Sequence, residues 1–278
     1  MKTPLTGQGS QPLEEDGAEL AFMEMPKGIR TYSMPEIPQP EEAEAFGPAL
    51  RKLEAVLSAL RTAPAACSSI VIELKDLDAA NRAFIDQVLG EGEVSIIAGG
   101  AIQVQESVLT GVWRLQDIDS HGELAADTIE VGEFPQRVLQ IAGEAAGQGL
   151  RPSDTGGEDL MNAPALAAEL ADKLAHFQPG VAPHVINLSL LPVSDGDLAF
   201  LENRLGQGAV TILSRGYGNC RISSTAVKNA WWVQYFSARE ALILNTIEVT
   251  RIPGVACAAQ QDLEDSAERL AEILEVYR

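Results

Sequence analysis

Two stretches of this chain of 278 residues are close copies of each other and decide the expected fold: FIDQVLGEGEVSII at residues 84–97 and FLENRLGQGAVTIL at residues 200–213. Both contain Leu-Gly-x-Gly, and a glycine at this point is suited to end a helix because it tolerates backbone conformations that other residues avoid. A short run of β-branched and aliphatic residues follows, which is typical of a strand. The pattern therefore predicts a helix followed by a strand, twice.

The similarity continues on both sides of these stretches. Downstream, Trp113 matches Trp231, and TIEVGEFP at 128–135 matches TIEVTRIP at 246–253. Upstream, each copy has a strand, 70–74 or 185–190, that follows a leucine-patterned helix. Those helices are predicted at residues 41–61, through Leu50, Leu53, Leu57 and Leu60, and at residues 164–177.

The sequence thus predicts an α+β protein made of two tandem copies of a β-α-β-β-β-α unit. We expect antiparallel or mixed sheets with helices packed on one face, and a pseudo-twofold relation between the copies. The predicted domains are a first repeat with its leading helix at 41–146, a linker at 147–163 rich in Gly, Asp and Ser, and a second repeat at 164–278.

Residues 1–40 hold six prolines and an excess of acids, which predicts an extended acidic arm. Its apolar residues suggest a segment that docks either on its own domain or on a partner; they are Phe22, Met23, Met25, Ile29, Tyr32 and Met34. The first thirty residues lack the basic start and apolar run of a signal peptide. We therefore expect a cytoplasmic protein without membrane insertion.

The formal net charge of −20 would repel nucleic acid and anionic membranes, so neither is an expected partner. Excess acid either keeps the protein soluble or attracts a cationic partner. Three cysteines are too few for a disulfide framework, and the three histidines lack helical ligand spacing. We expect no cofactor and no metal; a site formed by Cys220, Cys257 and Glu248 would lack any CxxC or HxxH pairing.

The two copies differ most after the shared glycine step. Copy one reads AGGAIQVQES at 98–107, where copy two reads SRGYGNCRIS at 214–223, a glycine-rich turn with an aromatic ring, a thiol and two guanidinium groups. Copy two also carries the aromatic run WWVQYF at 231–236. Since duplicated units share their scaffold, we expect such differences to mark function.

The sequence resembles the HupH/HyaF hydrogenase expression and formation proteins, most clearly in its second copy. The resemblance covers roughly residues 23–278 and is carried by SRGYGNCRI at 214–222, AWWVQYF at 230–236, LNTIEV at 244–249, and VACAA at 255–259 followed by DLEDSAERL at 262–270. It implies an accessory, non-enzymatic role in maturing the uptake [NiFe] hydrogenase. The implied partner is the iron–sulfur small-subunit precursor with its twin-arginine signal, before export, and other hydrogenase accessory proteins are further candidates.

The candidate partner-binding residues lie in these motifs: Arg215, Gly216, Tyr217, Gly218, Asn219, Cys220, Arg221, Trp231, Trp232, Tyr235 and Glu248. Because side chains alternate along a strand, Trp231 and Trp232 should face opposite ways, with Trp232 outward or in an interface. The two arginines could clamp a carboxylate of a partner or of Glu248.

Cys220 has two interpretations. Arg215 and Arg221 could lower the pKa of its thiol and favour a thiolate, which gives the alternative hypothesis of a redox or iron–sulfur-cluster-handling protein. Otherwise it is a half-buried structural thiol. Cys257, in an apolar run, is predicted to be a core cysteine, and Cys67 to have no chemical role.

Overall fold

The structure, a computed structural model, describes residues 45–62, 68–147, 149–150, 160–216 and 218–277. The predicted arm at 1–40, Cys67 and Tyr217 lie outside the described residues, as does most of the predicted linker.

The described residues form six α-helices and ten β-strands. The helices are Gly47–Thr62 (α1), Ala79–Leu89 (α2), Gln136–Glu144 (α3), Ala163–Ala175 (α4), Asp195–Leu205 (α5) and Gln260–Glu275 (α6). The strands are Ile70–Glu73 (β1), Val94–Ala98 (β2), Ile102–Glu106 (β3), Val112–Ile118 (β4), Leu124–Val131 (β5), His184–Asn187 (β6), Gln207–Ser214 (β7), Asn219–Thr225 (β8), Ala230–Phe236 (β9) and Leu242–Val249 (β10).

All ten strands belong to one antiparallel sheet in the order β1-β5-β4-β3-β2-β7-β8-β9-β10-β6. The α+β class with an antiparallel sheet is therefore confirmed. Strands β2 and β7 join the first five strands to the last five, with Ile96 opposite Ile212 and Val94 opposite Ser214. Read from this junction outward, the two halves place their strands in the same order.

Each half contains one strand more than predicted. The additional strands are β3 and β8, and β8 occupies residues interpreted from the sequence as part of a glycine-rich turn. Of the described residues in this stretch, Arg215, Gly216 and Gly218 lie outside the strands. From Asn219 onward the burial alternates, with Cys220 and Ile222 buried and Arg221 half-buried, which is the period of a strand.

The leucine patterns correctly located the leading helices. In α1, Leu53, Leu57 and Leu60 are buried against α2 and α6. In α4, Leu166 and Leu170 are buried against α5 and the strands beneath it. Both helices therefore bury one apolar face, as an amphipathic helix of a globular protein does.

The sheet has a core face and an open face. The core face carries the central apolar cluster, including Ile96, Ile212 and Ile222, packed under α3 and the 3-10 turn at Gly254–Ala256. On the other face, α1 and α2 cover Ile72 and Ile129 at one end, while α4 and α5 cover Ile186 and Ile247 at the other. The prediction that helices pack on one face is wrong for α3.

Candidate functional site

The predicted site residues divide between the two faces of the sheet. Cross-strand partners share a face, and Cys220 lies opposite Tyr235 while Trp231 lies opposite Glu248, all on the core face. Arg221 pairs with Gln234, and Trp232 pairs with Ser223 and Ile247, on the other face. The predicted site residues that the structure describes therefore do not converge on a single site.

Cys220 is a core thiol. Its side chain is 4% exposed and packs in the central apolar cluster. Burial raises the pKa of Cys220 to about 11, despite a hydrogen bond with Tyr235 that lowers it, and Glu248 raises it further. Of the two interpretations of Cys220, the thiolate is therefore wrong and the structural thiol holds. Arg221 extends from the opposite face of the sheet, where its guanidinium lies 5.6 Å from the centre of the Phe236 ring.

Cys257 agrees with its prediction. It packs half-buried against the central apolar cluster, and its Sγ donates to the carbonyl oxygen of Pro253 at 3.6 Å. Burial raises the pKa of this thiol to about 12, and nearby Glu133 acts in the same direction. Both described cysteines are thus protonated at neutral pH.

The internal clamp predicted between Arg221 and Glu248 is also wrong, since the two side chains lie on opposite faces. Glu248 sits half-buried beside the Cys220–Tyr235 pair. Burial raises its pKa, although a hydrogen bond from Thr246 works against the shift.

The two tryptophans face opposite ways, as predicted. Trp231 is buried on the core face, and its Nε1 donates to the carbonyl oxygen of Arg251 at 3.2 Å. Trp232 lies on the other face, half-buried against the α4–α5 cluster, with its Nε1 bonded to Asn245 Oδ1. The corresponding residue of the first half, Arg114, instead forms ion pairs with Asp86 and Asp127.

Arg215 and Gly216, which follow β7, contact Glu93, the residue immediately before β2. Arg215 N donates to the carbonyl oxygen of Glu93 at 3.1 Å, and a Cβ on Gly216 would lie 2.1 Å from Glu93 Oε2. Gly218 has a φ of 103°. Gly218 therefore adopts a backbone conformation that favours glycine, whereas the atom nearest to Gly216 is the end of the exposed, flexible Glu93 side chain.

Between the helices at the two ends of the sheet, the open face is formed by four strands, β3, β2, β7 and β8. We call this part of the open face the floor. At strand spacing, these four strands span about 14 Å. Their side chains on this face are exposed or half-buried; they are Ser95, Ile97, Gln103, Gln105, Thr211, Leu213, Asn219, Arg221 and Ser223. Within this set, Arg221 alone is charged.

Sequence reasoning identified only Asn219 and Arg221 on this floor. The signal for the others was present as period-two alternation, IQVQE in β3 and SII in β2. It could not be used without knowing that β2 and β7 pair, because that pairing places the two alternating patterns on one surface.

A cavity of about 610 Å³ lies beside the turn between β8 and β9. It is bounded by α3, by Phe177 and Pro179 after α4, and by residues 224–231. Arg251 Nη2 donates to Gln136 Oε1 at 2.5 Å in its wall. Of the predicted site residues, only Trp231 lines this cavity.

Neither a metal centre nor a membrane span emerges from the described parts of the chain. No three His, Cys, Asp or Glu side chains there are grouped so that they could hold a metal ion. No described helix is both long and apolar enough to cross a membrane.

Comparison with known families gives a consistent result. A sequence profile described as "HupH hydrogenase expression protein, C-terminal conserved region" matches residues 47–150 and 160–277. The chain is 45% identical over 272 residues to the hydrogenase expression/formation protein HoxQ of Cupriavidus necator, covering 97% of this chain and 95% of that one. It is 46% identical over 274 residues to the hydrogenase expression/formation protein HupH of Rhodobacter capsulatus, covering 98% and 96%.

A solved structure is also similar. The hydrogenase expression protein HupH from Thiobacillus denitrificans is 32% identical, with a TM-score of 0.37, and the match covers 41% of this chain and 93% of that one.

Proposed function

Because the chain belongs to the HupH family of hydrogenase expression proteins, we propose that it is a maturation chaperone for the uptake [NiFe] hydrogenase. In this proposal it acts in the cytoplasm on the precursor of the iron–sulfur small subunit, before export. It is a binding protein and not an enzyme. Thiol chemistry at Cys220 is not proposed, since that thiol is buried and its pKa is raised to about 11.

We also propose that residues 41–146 and 164–278 are copies of one unit, related by a pseudo-twofold axis through the β2–β7 junction and joined by the linker at 147–163. The strand order is the same in both directions from that junction. Trp113 Nε1 donates to Gly132 O at 3.0 Å, and its counterpart Trp231 donates to Arg251 O at 3.2 Å, one position beyond the equivalent of Gly132. The two stretches that the family profile matches fall in the same two halves.

The observation that carries the binding proposal is the open face. Folded proteins cover both faces of a central sheet or leave one face to water, and a face between two helical walls forms a groove. A groove about 14 Å wide can hold a helix, whose diameter with side chains is about 10–12 Å, or an extended chain.

Charge favours a cationic guest. A chain with a net charge of −20 attracts a basic segment at long range, which raises the association rate at low salt. The start of a twin-arginine signal is such a segment. The guanidinium of Arg221, on the floor of the groove, is suited to bind a carboxylate in the folded part of the small subunit.

The experiment is co-purification of the tagged full-length chain with the small-subunit precursor. Gln103→Arg combined with Thr211→Arg places two long cations on the groove floor, and we expect the co-purified precursor to fall about tenfold. Glu73→Arg, on an exposed position of β1, is the matched control and should retain the precursor.

Two results would count against the proposal in different ways. If the unmodified chain does not retain the precursor, the proposed function is wrong. If the groove variant retains it as well as the control does, the function stands and the open face is the wrong surface. Thermal unfolding of both variants verifies that each is folded.

A further inference from the structure

The two outer edges of the sheet differ in chemistry. The β1 edge carries charges: Glu73 is exposed, and Asp76, shortly after the strand, forms an ion pair with Lys52 at 2.8 Å. Charged side chains on an edge strand discourage other strands from pairing with it. The β6 edge has an ionisable contact only at its first residue, where His184 Nε2 lies 2.7 Å from Glu169 Oε1, and residues 185–194 contain no charged side chain.

Exposed aliphatic side chains are concentrated along the β6 edge. The β6 edge strip consists of Val185, Leu190, Leu191, Leu242 and Ile243, with exposed fractions of 48%, 80%, 40%, 47% and 62%. Asn245 N, in β10, donates to Ser189 Oγ, in the turn after β6, at 2.8 Å. This bond places Leu190 beside the start of β10.

Among the described residues, the backbone of β6 is paired on one side only. Its four residues form a ladder with β10, and β6 is the last strand in the sheet order. The N–H and C=O groups of its outer edge can therefore accept a further strand, and side-chain contacts in such an arrangement alternate along the added segment.

We infer that the β6 edge is a docking site for an extended aliphatic segment of a partner protein, flanked by basic residues, which adds as an eleventh strand. Aliphatic side chains of the segment would cover the β6 edge strip, and backbone hydrogen bonds would fix its direction. The inference does not depend on the proposed hydrogenase role, because β6 lies at the end of the sheet and the open face lies at its centre.

Charge decides which occupant the edge favours. A second copy of this chain could offer the same uncharged edge, but each copy carries a net charge of −20, and two such bodies repel each other. A segment with lysine or arginine at its ends would instead be attracted by the acidic chain. Its uncharged centre would match the strip without burying a charge.

The test uses a synthetic peptide of alternating leucine and threonine with two lysines at each end, labelled and titrated with the full chain. We expect saturable binding that weakens about tenfold in the double variant Leu190→Lys, Ile243→Lys. Val71→Lys, at an exposed aliphatic position (54%) on the opposite edge strand, is the matched control and should bind normally. Amide hydrogen exchange in residues 184–187 should slow when the peptide binds.

Three outcomes would overturn the inference. One is equal loss of binding in the control and in the double variant. Another is slower exchange in β1 with none in β6. The third is a dimer of the unmodified chain that the double variant disperses, since the occupant would then be a second copy; light scattering after size-exclusion chromatography detects it.

Discussion

In both halves of the sheet, a side-chain oxygen accepts hydrogen bonds from backbone N–H groups at the start of the leading helix; the acceptor is an amide in the first half and a carboxylate in the second. In the first half, Asn81 in α2 accepts a hydrogen bond from the backbone N–H of Ala49 at 3.0 Å. In the second, Asp197 in α5 accepts from three consecutive backbone N–H groups at the start of α4, at 2.9, 3.1 and 2.9 Å. Both acceptors are third in their helices, after the N-caps Asp78 and Ser194.

The difference shows how charge compensates for missing packing. Helix α1 buries six residues and packs on both α2 and α6, whereas α4 buries four and packs mainly on α5. A buried carboxylate at a helix N-terminus satisfies orphan donors and interacts favourably with the helix dipole. Burial raises the pKa of Asp197, but the backbone hydrogen bonds outweigh it and bring the pKa to about 2.

The largest effect is expected from removing this carboxylate. Asp197→Ala leaves several buried N–H groups without their acceptor, and we expect a loss of about 3–5 kcal/mol in the free energy of unfolding at pH 7. Asn81→Ala removes one backbone acceptor contact and should cost about 1–2 kcal/mol. Urea unfolding at 25 °C measures both, and equal losses would contradict the comparison.

The same carboxylate gives the pH dependence a definite sign. Because the folded-state pKa of Asp197 is lowered from 3.8 to about 2, its stabilisation is complete above about pH 5 and is lost as the pH falls toward 2. The difference in the free energy of unfolding between the unmodified protein and Asp197→Ala should therefore become smaller as the pH falls over that range.

A second difference lies on the core face, where Glu106 of β3 takes the place that Ser224 takes in β8. Each is opposite the buried tryptophan of its half, Trp113 or Trp231. Burial raises the pKa of Glu106 to about 7; a hydrogen bond from Gly111 N opposes the shift, and the charges of Glu93 and Asp262 add to it.

We expect Glu106→Gln to flatten the pH dependence of stability. The folded carboxyl keeps its proton up to about pH 7, and the unfolded one releases it near 4.5, so stability falls as the pH rises between these values. The loss by pH 8 is on the order of 3 kcal/mol. Urea midpoints at pH 5 and pH 8 measure it, with Glu54→Gln on the surface as control. If the free energy of unfolding depended on pH in the same way in Glu106→Gln and in the unmodified protein, the raised pKa of Glu106 would be contradicted.

Structural features that depend on residues close together in the chain could be predicted from the sequence. The leucine spacing placed α1 and α4, and the alternation rule separated Trp231 from Trp232. Each of these depends on local periodicity or on backbone sterics, which act within a few residues.

Features set by distant pairing could not be predicted in this way. The face of Arg221 depends on the register of β8 with β9, and the open face depends on the β2–β7 junction, which joins residues more than a hundred positions apart. The thiolate interpretation of Cys220, one of the two that the sequence left open, was wrong for the same reason. Two arginines close in sequence were assumed to be close in space, and a strand sends neighbours to opposite faces.

The smallest effect is expected at the turns between the third and fourth strands of each half. Both turns use the same bond, from Leu109 N to Ser107 Oγ at 3.0 Å and from Val227 N to Thr225 Oγ1 at 3.1 Å. Both contain a residue of positive φ, Gly111 at 83° and Asn229 at 64°. Their surroundings differ, because α6 covers the first turn and the second one lines the cavity.

Exchanging these two residues separates backbone strain from packing. A Cβ on Gly111 would lie 2.1 Å from Leu263 Cδ2, so Gly111→Asn displaces this buried side chain of α6 and should cost about 1–3 kcal/mol in the free energy of unfolding. Asn229→Gly removes a side chain that faces the cavity, and the change should stay within about 0.5 kcal/mol. Chemical denaturation measures both. A cost for Asn229→Gly as large as that for Gly111→Asn would mean that the second turn is as closely packed as the first, and the contrast between the halves would fail there.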